Sequence, residues 1–370
     1  MSKKKKDLKF GFTTGTAAAA AAKGALSLLL EDKAPLKVKI ELLTGRAIDI
    51  PLQTCEKQDT RTATCTVIKD AGDDPDVTHK AVIGARLMFL DNMNFEGVVI
   101  TGGKGVGKVT KPGLEIPPGE PAINLGPRKM ITQAVNEVLK KHRINPLVKV
   151  EIFVPEGETM ALKTLNARLG ILGGISILGT TGVVTPMSHE AYIATIRSSV
   201  SVARATGQDR VVLTTGRRSE KFAQALFDQL SEDAFIQIGD FFKMSVEAAS
   251  KNGFERIILA VFFGKAVKMA QGVPHTHAAK STLNIYNLAA WSFEVTQDHT
   301  FSDQISSCNT ARHAFDFIVD KYPEIITHVG KLMVKSAKRF AEQNVHIQGI
   351  ILDYNGNVLF DSDLHCILRF

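Results

Sequence analysis

Between residues 191 and 261, helix-like and strand-like segments alternate at short intervals. Helices are expected over 191–205, 219–230 and 243–251, and strands over 210–216, 235–240 and 256–261. Strands separated by single helices cannot pair as hairpins, so this pattern predicts βαβ units and a parallel sheet. In such a sheet, ligands lie beyond the carboxyl ends of the strands. The first end is Thr214-Thr215-Gly216-Arg217, where a helix start offers free amides to an anion. The second ends in Gly239-Asp240, with an acid placed to accept ribose hydroxyls. After the third come Gly264 and Lys265, with Lys268 one turn on. Lysines near a helix start oppose its dipole unless an anion sits between them. Together these residues outline a nucleoside site for S-adenosylmethionine or a nicotinamide cofactor. The full G-x-G-x-x-G is absent, and on spacing alone a turn glycine and a helix-capping aspartate explain the same residues equally well.

The first half reads differently. Residues 13–16 offer an N-cap to an alanine-rich helix over about 17–30. Strands are expected at 37–43 and 46–50 around Thr44-Gly45, and at 61–68, 97–100, 148–154 and 173–179. A second helix, 128–141, carries one apolar stripe. The expected architecture is therefore an α+β domain over 1–192 followed by a parallel-sheet α/β domain over 193–370.

Bulk properties narrow the partner. The chain has 370 residues, enough for two ordinary cores, and a formal charge of +7, which favours a polyanion. Nucleic acid, a polycarboxylate and a phosphorylated metabolite all fit that sign. Aromatic content of 7% with one Trp gives no obvious stacking platform for single strands. Cys55, Cys65, Cys308 and Cys366 show no C-x-x-C or zinc-ligand spacing, so reduced thiols and no bound metal are expected. Lys23 interrupts the apolar run after Lys3–Lys6, which does not read as a signal peptide, and no run is long enough to span a bilayer. A cytoplasmic protein without membrane contact is expected.

The segment from Thr101 to Gly113 concentrates glycine and lysine. Gly102, Gly107 and Lys108 match most of a phosphate-binding G-x-x-x-x-G-K-[ST] loop. Val109 then removes the magnesium-binding hydroxyl, and Pro112-Gly113 reads as a turn where a helix should start. A flexible cationic loop for an anion remains, with Lys104, Lys108 and Lys111 as its charges. Glu120 and Arg128 add polar groups close by, and Thr13, Thr14 and Thr16 precede a helix start suited to a carboxylate. Asp70 and Asp73 lie in an acidic turn that lacks the closing Glu of an EF-hand; they are candidates for a base, as is His277. A solvated Asp-rich turn and a hydrogen-bonded loop histidine are the plainer alternatives.

In order and spacing, several segments resemble the CbiD family. They are the runs at 11–20 (GFTTGTAAAA), 70–78 (DAGDDPDVT), 101–107 (TGGKGVG), 119–124 (GEPAIN), 173–186 (GGISILGTTGVVTP) and 264–277. The resemblance covers about residue 8 to at least 280. It implies transfer of a methyl group from S-adenosylmethionine to C-1 of cobalt-precorrin-5B, giving cobalt-precorrin-6A, in anaerobic cobalamin biosynthesis. It also implies a first domain similar to a permuted ribosomal S5 domain 2-like fold. The partner it implies is a cobalt-containing anionic tetrapyrrole rather than nucleic acid, with homo-oligomerisation left open. Its acetates and propionates suit the lysines and loop amides. Many relatives have Cys after Thr-Thr-Gly-Thr; this chain has Ala17, so a thiol has no role there. Two rivals carry other expectations: a nucleotide hydrolase using the 102–108 loop, and an RNA-binding protein.

Overall fold

The computed structural model describes residues 8–90, 96–186, 188–277, 281–342 and 344–364, with the backbone alone at 281–284. Cys366 lies outside the described residues. Two compact units divide between His189 and Glu190, where the sequence placed the change near 192.

The first unit is organised by helix Thr14–Glu31, whose six consecutive alanines are fully buried. Alanine on every face lets neighbours approach the helix axis closely. Thr13 caps it through Oγ1, which accepts from the Thr16 amide at 3.2 Å, and Asp32 in the left-handed region ends it. Helix Leu125–His142 buries Met130, Ile131, Ala134, Val135, Val138 and Leu139 beside it. The two helices meet at Gly15, where any Cβ would lie 2.6 Å from the Pro127 ring.

Both helices share a core with one face of a five-stranded sheet. Its spatial order is Thr54–Lys57, Thr62–Ile68, Val82–Phe89, Leu147–Phe153 and Gly97–Gly102; only the last two are parallel. Ala63, Cys65 and Val67 alternate inward on the second strand, as a half-buried strand requires. Lys37–Glu41 and Ala47–Pro51 form a separate hairpin. The expectation of reduced thiols fails at one place. Cys55 and Cys65 stand directly opposite on adjacent antiparallel strands, Cα atoms 4.1 Å apart, and are joined as a disulfide; Cys308 is free and buried.

The glycine-rich segment also differs from its reading. It is two short strands rather than a flexible loop. Gly105–Val106 pairs in parallel with Gly174–Ile175, and Lys108–Val109 pairs antiparallel with Ile171–Leu172. The glycines permit backbone to cross backbone. A Cβ on Gly105 would lie 1.9 Å from the Val154 carbonyl, and one on Gly174 would lie 2.2 Å from the Gly105 carbonyl.

The second unit is a five-stranded sheet in the order Phe235–Gln237, Arg210–Thr214, Arg256–Phe262, His346–Leu352 and Val358–Asp361. The first four are parallel and the last is antiparallel. Val211, Leu213, Ile257, Leu259 and Val261 face one core, which takes in helices Phe242–Lys251, Phe263–Ala270 and Glu324–Phe340. Val212, Ile258 and Ala260 face a smaller core closed by Ala223 of helix Arg217–Leu226. Both faces are therefore covered, as a parallel sheet demands. Among the described residues, no helix is long and apolar enough to cross a membrane.

Gly105 combines φ +71° with the Val154 contact, whereas Gly119 has φ +96° and open space around it. Gly105→Ala is expected to destabilise the protein by at least about 2 kcal/mol, and Gly119→Ala by about 1 kcal/mol. Urea unfolding measures both; equal effects would refute the close-crossing account.

Candidate functional site

Chain order and spatial order disagree at one place in the second unit. From Arg210–Thr214 the chain moves to a neighbour on one side, Phe235–Gln237, then returns to one on the other side, Arg256–Phe262. Such a reversal leaves a crevice beyond the strand ends, because the flanking connections depart to either side. The segments flanking it are Thr214-Thr215-Gly216, Ile238-Gly239-Asp240 and Phe263-Gly264-Lys265.

Lys265 and Asp240 form an ion pair, although they follow strands on opposite sides of Arg210–Thr214. The buried Thr276 completes the bridge: its hydroxyl donates to Asp240 Oδ1 at 2.9 Å and its amide to the Asp240 carbonyl at 2.9 Å. Lys268 Nζ donates to the Thr276 carbonyl at 3.1 Å. Burial pushes the Asp240 carboxyl up, but hydrogen bonds from Lys265 and Thr276, with the charges of Lys265 and His277, outweigh it and hold the group below the usual range. Burial and the Lys265 charge push the Lys268 ammonium below the usual lysine range, against the pull of Asp240. The anion beside these two cations is Asp240 itself.

Gly216 does not make the tight turn expected of it. Its backbone is extended at φ 170° and it precedes helix Arg217–Leu226. No heavy atom lies within 4 Å of where its Cβ would be, so the space beside it is open. Gly264 is the second residue of its helix, with only ordinary contacts to Tyr354 and Ala311. His277 is exposed, and its charge acts on Asp240.

Sequence reasoning missed two side chains at this edge. Glu220 is only 7% exposed and accepts from Gln237 Nε2 at 2.7 Å. Tyr192 stacks on Phe241, with ring centroids 5.2 Å apart. Burial, then the charges of Asp240 and Glu220, raises the Tyr192 phenol above its usual range. The acid sits within a helix first turn, and the tyrosine precedes the first strand, where no motif marks it.

In the first unit the threonines hold the fold. Thr16 Oγ1 donates to the Gly182 carbonyl at 2.7 Å, and the Leu178 amide donates to Thr14 Oγ1 at 2.8 Å. Thr14 and Thr16 are buried, and Thr13 serves as the cap. The phosphate-loop resemblance fails structurally as well. The amides of Gly103, Val106, Gly107 and Val109 donate to the carbonyls of Ile152, Gly103, Ile175 and Glu120, so they are taken before any phosphate arrives.

Instead the segment presents a face. Val109 and Ile171 pair inward into a small core, while Lys108 and Leu172, directly opposite each other, point out. Leu172 is 51% exposed, and the Lys108 side chain makes no hydrogen bond or ion pair among the described residues. Arg128 Nε reaches the Ile123 carbonyl at 2.8 Å, and its Nη2 lies 3.5 Å from Glu120. Lys104 is exposed, and Lys111 Nζ reaches the Arg168 carbonyl at 3.4 Å.

The acidic turn is tied inward. Lys9 Nζ donates to Asp70 at 2.6 Å and the Lys9 amide to Asp73 at 2.7 Å. The Lys9 bond first, then the Gly72 amide, holds the Asp70 carboxyl below its usual range, which makes it a weak proton acceptor. Lys69, 1% exposed, pairs with Asp76 at 2.5 Å, another contact the sequence did not mark. Among the described residues, no group of three or more His, Cys, Asp and Glu could hold a metal ion.

Residues 1–186 match the family described as CbiD, and residues 275–363 match its C-terminal domain. A cobalt-precorrin-5B C(1)-methyltransferase of Leptospira borgpetersenii serovar Hardjo-bovis is 41% identical over 355 residues, 96% of this chain and 95% of that protein. One from Priestia megaterium is 44% identical over 316 residues, 85% of each. The crystal structure of a cobalamin biosynthesis protein, CbiD, from Archaeoglobus fulgidus aligns at 28% identity with a TM-score of 0.39, covering 70% of this chain and 78% of that one.

The Asp240 carboxyl is lowered from 3.8 on folding, so its contribution to stability is complete above that value and is lost as pH falls through the folded one. The stability gap between the wild type and Asp240→Asn should therefore be constant from pH 5 to 7 and narrow below about pH 4. Urea titrations across pH 3–7 test this; a gap independent of pH contradicts it.

Proposed function

Because the chain belongs to the CbiD family, we infer that it is a methyltransferase that moves the methyl group of S-adenosylmethionine to C-1 of cobalt-precorrin-5B, giving cobalt-precorrin-6A, in cobalamin biosynthesis. The observation that carries this is the 41% identity over 96% of the chain to a protein of that activity. The site geometry supports a division of labour. The methyl donor binds at the carboxyl edge of the second unit's sheet. The open side of Gly216 and the first amides of helix Arg217–Leu226 receive its carboxylate, with Thr215 alongside, and Asp240 takes ribose hydroxyls. Gly264 keeps the neighbouring helix start clear, and Lys265 orients Asp240.

The tetrapyrrole's acetates and propionates are held by the first unit, through Lys104, Lys108 and Arg128, with Glu120 steadying Arg128 and Lys111 set at the rim. Leu172 lies beside Lys108 where an apolar macrocycle face would rest. The substrate's cobalt arrives with the substrate and needs no protein cluster. Methyl transfer from a sulfonium needs an aligned carbon nucleophile, and positioning alone supplies roughly 7–11 kcal/mol of such a barrier. His277, exposed and next in the chain to Thr276, which bonds Asp240, is the proton acceptor in this reading. Asp70 and Asp73 anchor Lys9, and Thr13, Thr14 and Thr16 shape the helix start. The first unit is read as a permuted ribosomal S5 domain 2-like fold, supported by its mixed sheet with both helices on one face. A cytoplasmic enzyme that binds no nucleic acid goes with this function.

Anaerobic incubation with methyl-labelled S-adenosylmethionine and cobalt-precorrin-5B should place one label on C-1; no transfer by folded protein would refute the function. Lys108→Glu should raise the substrate KM about tenfold without changing donor affinity. Gly216→Val should weaken donor binding about tenfold with an unchanged melting temperature, since space and backbone both accept a side chain. A Gly216→Val protein that melts early would show that Gly216 serves the fold.

A further inference from the structure

Tyr192 stands in the first turn of helix His189–Ala205, and its position is hard to explain by packing alone. One ring face lies nearly parallel to Phe241, at 25°, and Phe241 in turn meets the edge of the His275 ring at 5.1 Å. Phe241 is buried, yet Tyr192 above it is 42% exposed. Its phenol oxygen lies 3.0 Å from where a Cβ on Gly239 would be, so the ring borders the residue preceding Asp240. Gly239, at φ +54°, has no side chain to fill that space. An exposed aromatic ring, backed by a second ring, therefore stands next to a carboxylate at the end of a parallel strand.

A flat, electron-rich ring with one supported face stacks readily on a heteroaromatic base, because every base has a π-face to offer. A nucleoside with its ribose at Asp240 would bring its base past Gly239 toward this ring. We propose that Tyr192 is the shelf on which the adenine of the methyl donor stacks. The proposal rests on the placement of the donor at Asp240 given above, and adds to it the residue that reads the base. The hydroxyl is dispensable for stacking; the ring is not.

Titration calorimetry of the full chain with S-adenosylhomocysteine, and with adenosine, tests this. Tyr192→Phe should bind both as the wild type does. Tyr192→Leu keeps Phe241 covered but has no π-face, and should bind both about tenfold more weakly. Wild-type affinity in Tyr192→Leu overturns the stacking role. Asp240→Ala separates the two assignments. If it loses affinity while Tyr192→Leu does not, the ribose placement stands and the shelf is refuted. If Tyr192→Leu alone loses affinity, the shelf stands and the ribose placement is refuted. A wild-type protein that binds neither compound refutes both.

Discussion

Four parallel strands of the second unit end on one edge, and the chain reverses its lateral direction at Arg210–Thr214. Everything proposed for the donor depends on that reversal. It sends the connections from the central strand to either side, so that helix starts and loop ends from three strands gather at one edge. The Lys265–Asp240 pair then bridges the two flanking strand ends, with the Thr276 hydroxyl fixing the carboxylate and its amide fixing the Asp240 carbonyl. An aspartate so held stays ionised and oriented before any ligand arrives, which limits the reorganisation that binding must drive.

The first unit solves a different problem. Its crossing glycine strands bring backbone unusually close to backbone at Gly105 against Val154, and its alanine helix brings backbone against the Pro127 ring at Gly15. The compactness has a chemical consequence. The amides of Gly103, Val106, Gly107 and Val109, which a phosphate loop would leave free, are satisfied within the protein, so an anion held here as proposed would be met by side chains. Lys108 and Leu172, side by side on the outward face, pair one cation with one apolar surface. That combination matches a macrocycle with a carboxylate rim better than it matches a nucleotide.

Much of this was legible in the sequence, for identifiable reasons. The three strands from residue 210 to 262 stand where alternation put them, and Asp240 and Lys265 were marked individually because strand ends in such sheets gather ligands. Their direct pairing was not legible, since it depends on spatial order. His346–Leu352 also escaped notice: it joins the sheet after five helices, far from the alternating region. The glycine run was found but misread. Glycine marks both a flexible loop and a close backbone crossing, and only the partner strand at Ile171–Ile175, more than sixty residues away, distinguishes them. Cys55 and Cys65 carry no metal or redox spacing, and their disulfide follows from hairpin register alone. Tyr192 had no motif to announce it.

The central claim is that the methyl donor binds at the carboxyl edge of the parallel sheet and not at the glycine-lysine segment. Amide hydrogen exchange with and without saturating S-adenosylhomocysteine tests it most directly. The account predicts slowed exchange at residues 215–220, 238–241 and 264–266, with residues 102–109 unchanged. Protection confined to 102–109, with the sheet edge unaffected, would contradict it.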